Sequence, residues 1–372
     1  MDEPEICLIM RRCTVGGIER VVLLLANALA ERGRKVHVAV LEPVGLRAII
    51  TELHPQVSAH VLSGSRSSRL RRLRELTRGR ITHLHLADGR IHPSLRWVLR
   101  GHPGVFVTYH MDYTPARNRV SNLVDRLITG RCRAVIAVSQ VVRDFCLNAV
   151  RLPADLVTVI ENAVPGPSAG RVRIESDDAF TLVALATVNP HKNHVGLLRG
   201  FALARGRGHD VRLRIIGDGP AIAEVFTAAA ELGVGSAVEW YGALWQSTIV
   251  SALLSTSDAF VSASRDEGLP MAVLEGLQHG LPMVLSDIPA HREAAGEAGV
   301  YFDSEDPEQF ADRLEELLDP GACRRRAAAA ISRSALFGLD RFAARHLELY
   351  GTAPLAAAAT AARLSTTRQE TP

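Results

Sequence analysis

Residues 264–287 read SRDEGLPMAVLEGLQHGLPMVLSD, and this stretch decides how the chain is understood. Two carboxylates, Glu267 and Glu275, stand in it with seven residues between them. The preceding AFVSAS (259–264) has strand character, so RDEG is a loop at a strand's carboxyl end. Pro270 suits the first turn of a helix, where its missing N–H costs nothing. The free N–H groups of residues 269–271, Leu269 to Met271 around Pro270, would then offer an anion about half a positive charge. Gly268 lets the backbone wrap that anion. Glu275, roughly one and a half turns into the helix, could accept from two vicinal ribose hydroxyls, as carboxylates do in dinucleotide folds. Read plainly, the run is a capped helix with an exposed glutamate. Two carboxylates flanking a phosphate-sized loop point instead to a nucleotide-sugar.

Working outward, short apolar runs alternate with helical patterns. CLIM (7–10), KVHVAVLE (35–42), ITHLHLA (81–87), GVFVTYH (104–110) and AVIAVS (134–139) have strand character, and IERVVLLLANALAERG (18–33) is an amphipathic helix closed by Gly33. The pattern breaks at ENAVPGPSAG (161–170), the best linker. A second series follows: strands at 180–188, 211–219, 238–242, 259–264 and 282–287, with helices at 194–206, 220–232, 246–256 and after Pro270. Such alternation implies two doubly wound α/β domains, whose ligands bind outside the carboxyl ends of strands. ISRSALFGLDRFAARHLELY (331–350) reads as one final amphipathic helix, and the Ala- and Thr-rich residues 351–372 as a disordered tail.

Composition narrows the field. At 372 residues the chain exceeds what one core usually serves. No apolar run approaches the roughly 20 residues a membrane helix needs, and MDEPEICLIM lacks the basic start of a signal peptide. Five scattered cysteines without a CxxC suit reduced thiols, so the expected place is the cytoplasm. Residues 1–165 carry 24 Lys and Arg against 14 Asp and Glu, a net of +10; the remainder is net −7. SRSSRLRRLRELTRGR (65–80) alone holds seven arginines and one glutamate. It is either a solvated arginine-rich helix or a surface for anionic lipid headgroups at the inner membrane face, where each basic residue adds about 1 kcal/mol. Nucleic acid is not expected, because no aromatics interleave the arginines.

Other candidate residues sit at strand ends. Lys192, in ATVNPHKNH after the strand ending at Val188, can neutralise a phosphate; the chain's one other lysine is Lys35. IIGDGP (215–220) places Gly217 and Asp218 in a turn that lets backbone approach a nucleotide. Gly16 and Gly17 in TVGGIER (14–20) could approach a ligand, though the run is neither GxGxxG nor a P-loop. His110 ends the strand GVFVTYH and could hydrogen-bond a sugar hydroxyl or be structural; His83 and His85 read as structural. No DxD metal motif and no GxSxG nucleophile motif occurs.

In this order, GGIERVVLLLANALAERG, VTYH, VIAVSQ, VIENAVP, NPHKN, IIGDGP, the Glu267–Glu275 run and LDRFAARHLELY resemble glycosyltransferase family 4, the group 1 glycosyltransferases, over about residues 6–350. The resemblance implies a GT-B fold: two Rossmann-like doubly wound domains facing across a cleft, with a C-terminal helix crossing back. It implies an acceptor-binding domain at 1–165, a nucleotide-sugar-binding domain at 166–330 and the crossing helix at 331–350. It implies retaining, metal-independent transfer without a cofactor. Glu267 and His110 would meet the donor sugar, Glu275 the ribose, residues 268–271 the sugar and phosphates, and Lys192 the diphosphate beside Gly17. In the family GRL often precedes the lysine loop; here ATV does, so Thr187 stands where arginine is usual. Ala163 replaces the usual Gly after Asn162, and EGLP the commoner EGFG.

The expected activity is transfer of a hexose or N-acetylhexosamine from a UDP- or GDP-type sugar to a glycan or lipid-linked acceptor, in cell-surface polysaccharide or lipopolysaccharide assembly. Two alternatives stand beside it. One is a non-catalytic nucleotide-sugar-binding partner subunit, motivated by the missing arginine. The other is a GT-B epimerase or phosphorylase.

Overall fold

A computed structural model describes residues 3–42, 51–86, 104–111, 119–166 and 179–351. The chain divides into two compact units. Residues 1–14, 18–161 and 340–372 make the first; 15–17 and 162–339 make the second.

In the first unit, ICLIM folds as β1 (Ile6–Met10) with all five residues buried, the signature of a strand covered on both faces. Around it stand β2 (Val36–Val40), β3 (Val57–Val61), β4 (Ile81–Leu86), β5 (Val105–Tyr109), β6 (Ala134–Ala137) and β7 (Val157–Val159). They form a parallel sheet in the order β3-β2-β1-β4-β5-β6-β7. Helix α1 (Gly17–Ala30) buries Val21, Val22, Leu25 and Leu29, and Gly33, with φ +76°, turns the chain into β2. Helices α2 (Arg66–Thr77) and α3 (Arg119–Thr129) make later crossovers.

The second unit carries β8 (Phe180–Leu185), β9 (Val211–Ile216), β10 (Val238–Trp240), β11 (Ala259–Ser262), β12 (Met283–Ser286) and β13 (Gly299–Phe302). This sheet is also parallel, in the order β10-β9-β8-β11-β12-β13. Its core gathers Leu182, Leu213 and Val261 from the sheet with Phe201 and Phe310 from covering helices. Helix α4 (His194–Gly206) follows β8 and α5 (Met271–Gln278) follows β11. In each sheet the strand order reverses once, between β1 and β4 and between β8 and β11. Such reversal points are where open α/β sheets gather ligands.

Three expectations change. The run 331–350 is not one helix. Helix α6 (Pro320–Ser334) ends before a 3-10 turn at Ala335–Phe337, and α7 (Leu339–Gly351) begins afresh. Gly338 between them is extended (φ −72°, ψ 144°) and pairs with Val164, whose N–H donates to Phe337 O at 2.9 Å. The first unit resumes at Asp340, inside α7. Pro270 caps α5 from outside its first turn, in extended conformation. Strands β3, β7 and β13 join the expected set. The expected tail falls outside the described residues, as does the linker beyond residue 166.

Candidate active site

The loops after β8 and β11 meet at the reversal point of the second sheet, because those two strands are neighbours. After β8 the chain makes a 3-10 turn, Pro190–Lys192. Asn193 then takes the left-handed conformation (φ 52°, ψ 43°), which its short polar side chain tolerates. Its carboxamide oxygen accepts from Gly196 N–H and starts α4, while its amide donates to Ser304 O at 2.8 Å. Lys192 is thereby fixed facing the next loop. Its Nζ lies 2.6 Å from Glu267 Oε1, with 14% and 10% of the two side chains exposed.

Burial pushes the Glu267 carboxyl up, but the Lys192 ammonium and hydrogen bonds from Lys192 and Ser264 outweigh it and hold it below the usual carboxylate range. Glu267 is therefore an anion, and Lys192 a cation already paired. Burial lowers the His291 imidazole from its usual range, while the Glu267 charge and the Ser286 carbonyl oppose that shift.

The β11 loop is anchored at several points. Arg265 donates its backbone N–H to His191 O at 2.8 Å and its guanidinium to Pro190 O at 3.0 Å, tying the two loops together. Asn162 donates to Leu269 O at 2.9 Å and is itself buried. Ser286 donates to Ser264 O, and His291 Nδ1 lies 2.9 Å from Ser286 O, so Nδ1 carries the ring proton. His291 Nε2 and Asp266 Oδ1 are buried without a hydrogen-bond partner. Asn162 and His291 are supports that sequence reasoning did not assign. The sequence showed Asn162 inside the linker run 161–170, with nothing to indicate a carbonyl 107 residues away.

Gly268, Leu269, Pro270 and Met271 are buried at the start of α5. The first helical N–H with a backbone partner is that of Val273, donating to Pro270 O at 3.1 Å, so those of Met271 and Ala272 head the helix. Glu275 is half-buried on α5.

The IIGDGP glycines have a reason of their own. Gly217 has φ +151°, and a Cβ there would stand 1.8 Å from Ala186 O; at Gly219 it would stand 2.4 Å from Val188 O. The loop is stitched to residues 186–188 by Val188 N–H to Asp218 O and Ala221 N–H to Val188 O, both 3.0 Å. The close approach these glycines permit is to the neighbouring loop. Asp218 is exposed and accepts from Gly219 N–H at 2.7 Å. Thr187 accepts from the Asn189 side chain at 3.0 Å.

Residues Val15–Gly17 belong with the second unit. Gly16 lies in the bend before α1, and an added Cβ at Gly17 would make ordinary contact with Met271 Cγ at 3.5 Å. In the first unit, buried Glu19 accepts from Thr14 N–H (3.2 Å) and Oγ1 (2.8 Å), fixing the approach to α1. Burial raises its carboxyl above the usual range.

His110 belongs to the first unit and is buried, its Nε2 3.1 Å from His85 Nδ1. His83 lies tilted against His85, ring centroids 4.3 Å apart, and bonds Tyr350 and Thr108. Burial lowers the whole group, His110 to about 3 and His346 to about 4, so these rings are neutral. Among the described residues no group of three or more His, Cys, Asp or Glu is arranged to hold a metal, and no helix is long and apolar enough to cross a membrane.

Comparison with known proteins gives this geometry a context. Residues 171–333 match the family described as Glycosyl transferases group 1, and residues 15–165 match Glycosyltransferase Family 4. Over 218 residues the chain is 30% identical to the D-inositol 3-phosphate glycosyltransferase of Thermobispora bispora, covering 53% of this chain and 51% of that protein. Over 144 residues it is 31% identical to the lipopolysaccharide 1,6-galactosyltransferase of Salmonella typhimurium, covering 38% and 36%. The matches thus span about half or less of these relatives' length. The solved structure of Anabaena HepE in complex with UDP and glucose superposes with a TM-score of 0.77 at 15% identity, over 94% of this chain and all of that one. At that identity the likeness shows the fold, an α/β architecture of the GT-B class.

Proposed function

We propose that this chain, which belongs to the group 1 glycosyltransferases, transfers a hexose or N-acetylhexosamine from a UDP- or GDP-type sugar to a glycan or lipid-linked acceptor. The setting is assembly of cell-surface polysaccharide or lipopolysaccharide. One observation carries the reading: a largely shielded lysine–carboxylate pair, Lys192–Glu267, at the strand reversal point of the second sheet. A cation and the head of α5 there suit a diphosphate, and an anionic carboxylate suits the positive charge that develops on a departing sugar.

In this reading Lys192 and the N–H groups heading α5 hold the diphosphate. Residues 268–271 line the sugar and phosphates, Glu275 takes the ribose hydroxyls, and Gly217, Asp218 and Thr187 form the adjoining wall. Gly16 and Gly17 contribute backbone, and Glu267 and His110 contact the donor sugar. Configuration at the anomeric carbon is retained in a front-face reaction. The bond from sugar to diphosphate breaks, the acceptor oxygen bonds the anomeric carbon from the same side, and a leaving-phosphate oxygen takes the acceptor proton. The clamp then rests on Lys192 and backbone, since Thr187 brings no charge. The basic first unit would rest on anionic membrane on the cytoplasmic side, bringing a lipid-linked acceptor within reach.

Thr187 is also the observation that favours a second reading, a donor-binding subunit without turnover. Turnover of nucleotide-sugars by the protein and by Glu267→Gln separates the two. Release of nucleotide diphosphate that falls by about 10²–10³ in the variant is expected. Equal turnover of both would reject the catalytic role, and donor binding without turnover in either would favour the second reading.

A further inference from the structure

The crossover from β5 to β6 has its amphipathicity turned inside out. In RVSNLVDRLIT (α3), Val120, Leu123 and Leu127 recur at i, i+3 and i+7 on one face. They are 69%, 54% and 62% exposed. The buried side of the helix carries Asp125 and Thr129, and Thr129 bonds Tyr109 of β5 at 3.2 Å. A helix whose outer face meets water keeps its apolar stripe inward and its polar face outward. Here the fully buried positions are polar, Val124 and Ile128 are half-buried, and the stripe of Val120, Leu123 and Leu127 faces out, an arrangement expected where something apolar covers it.

Charge says what that partner is. Residues 119–133 contain four arginines and a single acid, Asp125, which is buried. Arg126 flanks the apolar stripe, and Arg131 and Arg133 follow the helix; all three are exposed. Strands β1 to β3 progress one way across the sheet and β3 to β7 the other. Because parallel crossovers are right-handed, α2 and α3, which follow β3 and β5, lie on the same sheet face. The exposed Arg71, Arg72 and Arg74 of α2 therefore share a face with the apolar stripe of α3. Apolar side chains rimmed by arginine, with little acid, match an interface of acyl chains beneath anionic headgroups.

We infer that α3 is a membrane-docking helix. It lies in the headgroup layer of an anionic bilayer with Val120, Leu123 and Leu127 inserted and Arg126, Arg131 and Arg133 at the phosphates. The inference rests on the peripheral-membrane reading above and assigns the element responsible.

The test is flotation of the full chain with phosphatidylcholine vesicles, with and without phosphatidylglycerol. The wild type is compared with Val120→Ser/Leu123→Ser/Leu127→Ser, and with Ile249→Ser, an exposed apolar residue of the second unit, as control. All three substitutions sit on the surface, and circular dichroism verifies the fold. Wild type and control should float with anionic vesicles only, and the triple variant should bind about tenfold less well. Trp emission from Leu123→Trp should shift to the blue on adding those vesicles. If the triple variant floats like the wild type, the helix assignment falls and the peripheral reading stands. If the wild type floats with neither vesicle, or equally with both, both fall. If the triple variant instead turns a dimer into a monomer with vesicle binding unchanged, the stripe belongs to a second copy and the inference is overturned.

Discussion

Lys192 and Glu267 stand 75 residues apart in sequence and 2.6 Å apart in the fold, each shielding the other's charge from a buried setting. Truncating one partner leaves the other ionised and unpaired. Glu267→Ala should therefore cost about 3–5 kcal/mol of stability. Lys192→Met/Glu267→Gln, which removes both charges at similar volume, should recover most of that loss and restore no turnover. Thermal unfolding paired with donor turnover checks this. A double variant no more stable than Glu267→Ala would reject the pairing.

Because Glu267 is held below the usual carboxylate range, the pair's contribution is present above about pH 4.5 and is lost as pH falls through the lowered value. Lys192→Met should leave the donor-induced thermal shift greatly diminished at neutral pH, since its ammonium is the side-chain cation proposed for the diphosphate. A shift equal to that of the wild type would remove Lys192 from the donor site.

Asn162→Ala should act through Leu269. It leaves the buried Leu269 carbonyl without its donor, at a cost of about 1–3 kcal/mol. The loop between Glu267 and α5 would lose an anchor, so donor affinity should fall more than the thermal midpoint alone suggests. Titration of a nucleotide-sugar against the folded variant distinguishes these, and unchanged affinity would confine Asn162 to stability.

The glycines divide. Gly217→Ala drives a methyl group into Ala186 O and forces a side chain onto φ +151°, so it should lower the thermal midpoint severely or prevent folding. Gly17→Ala makes only ordinary contact at 3.5 Å and should fold normally. Loss of donor binding in a stable Gly17→Ala protein is the outcome expected if backbone at that position meets the ligand.

The buried histidines set an acid limit. His83, His85, His110 and His346 are neutral when folded and protonate near 6.5 when unfolded. The unfolded chain binds more protons below that pH, so stability falls as pH drops below about 6.5, the loss continuing to about pH 3 for His110 and about pH 4 for His346. His110 and His346 each contribute a slope of about 1.4 kcal/mol per pH unit in their windows. His346→Phe should flatten the decline between pH 6 and pH 5 in denaturant titrations by about that amount, and an unchanged slope would reject the account.

Most of the architecture was legible because buried parallel strands announce themselves as apolar runs. CLIM, AVIAVS and PMVLSD all lie at strand positions. The strands that escaped notice are edge or short pieces. VSAHV of β3 is half-exposed at the sheet margin, and VTV of β7 spans three residues. Neither carries enough apolar signal to separate it from loop. Lys192 and Glu267 were each legible from their strand-end loops, but not their contact, which depends on β8 and β11 being neighbours. The break at Gly338 was hidden because α6 and α7 each keep helical periodicity on either side of it. The inside-out polarity of α3 cannot be read from periodicity, which finds an apolar stripe without saying which way it points.

The first unit is closed by its far end: Tyr350 of α7 bonds His83 of β4, 267 residues earlier. Residues 162–339 are thus an insertion within it. A ribosome releases the chain from its N-terminus, so every residue of the inserted unit emerges before the last helix of the first. The second unit is complete while its host still lacks α7, and His83 awaits its tyrosine until synthesis is nearly over. A chain that stops anywhere before Leu339 lacks α7 and leaves His83 without its tyrosine.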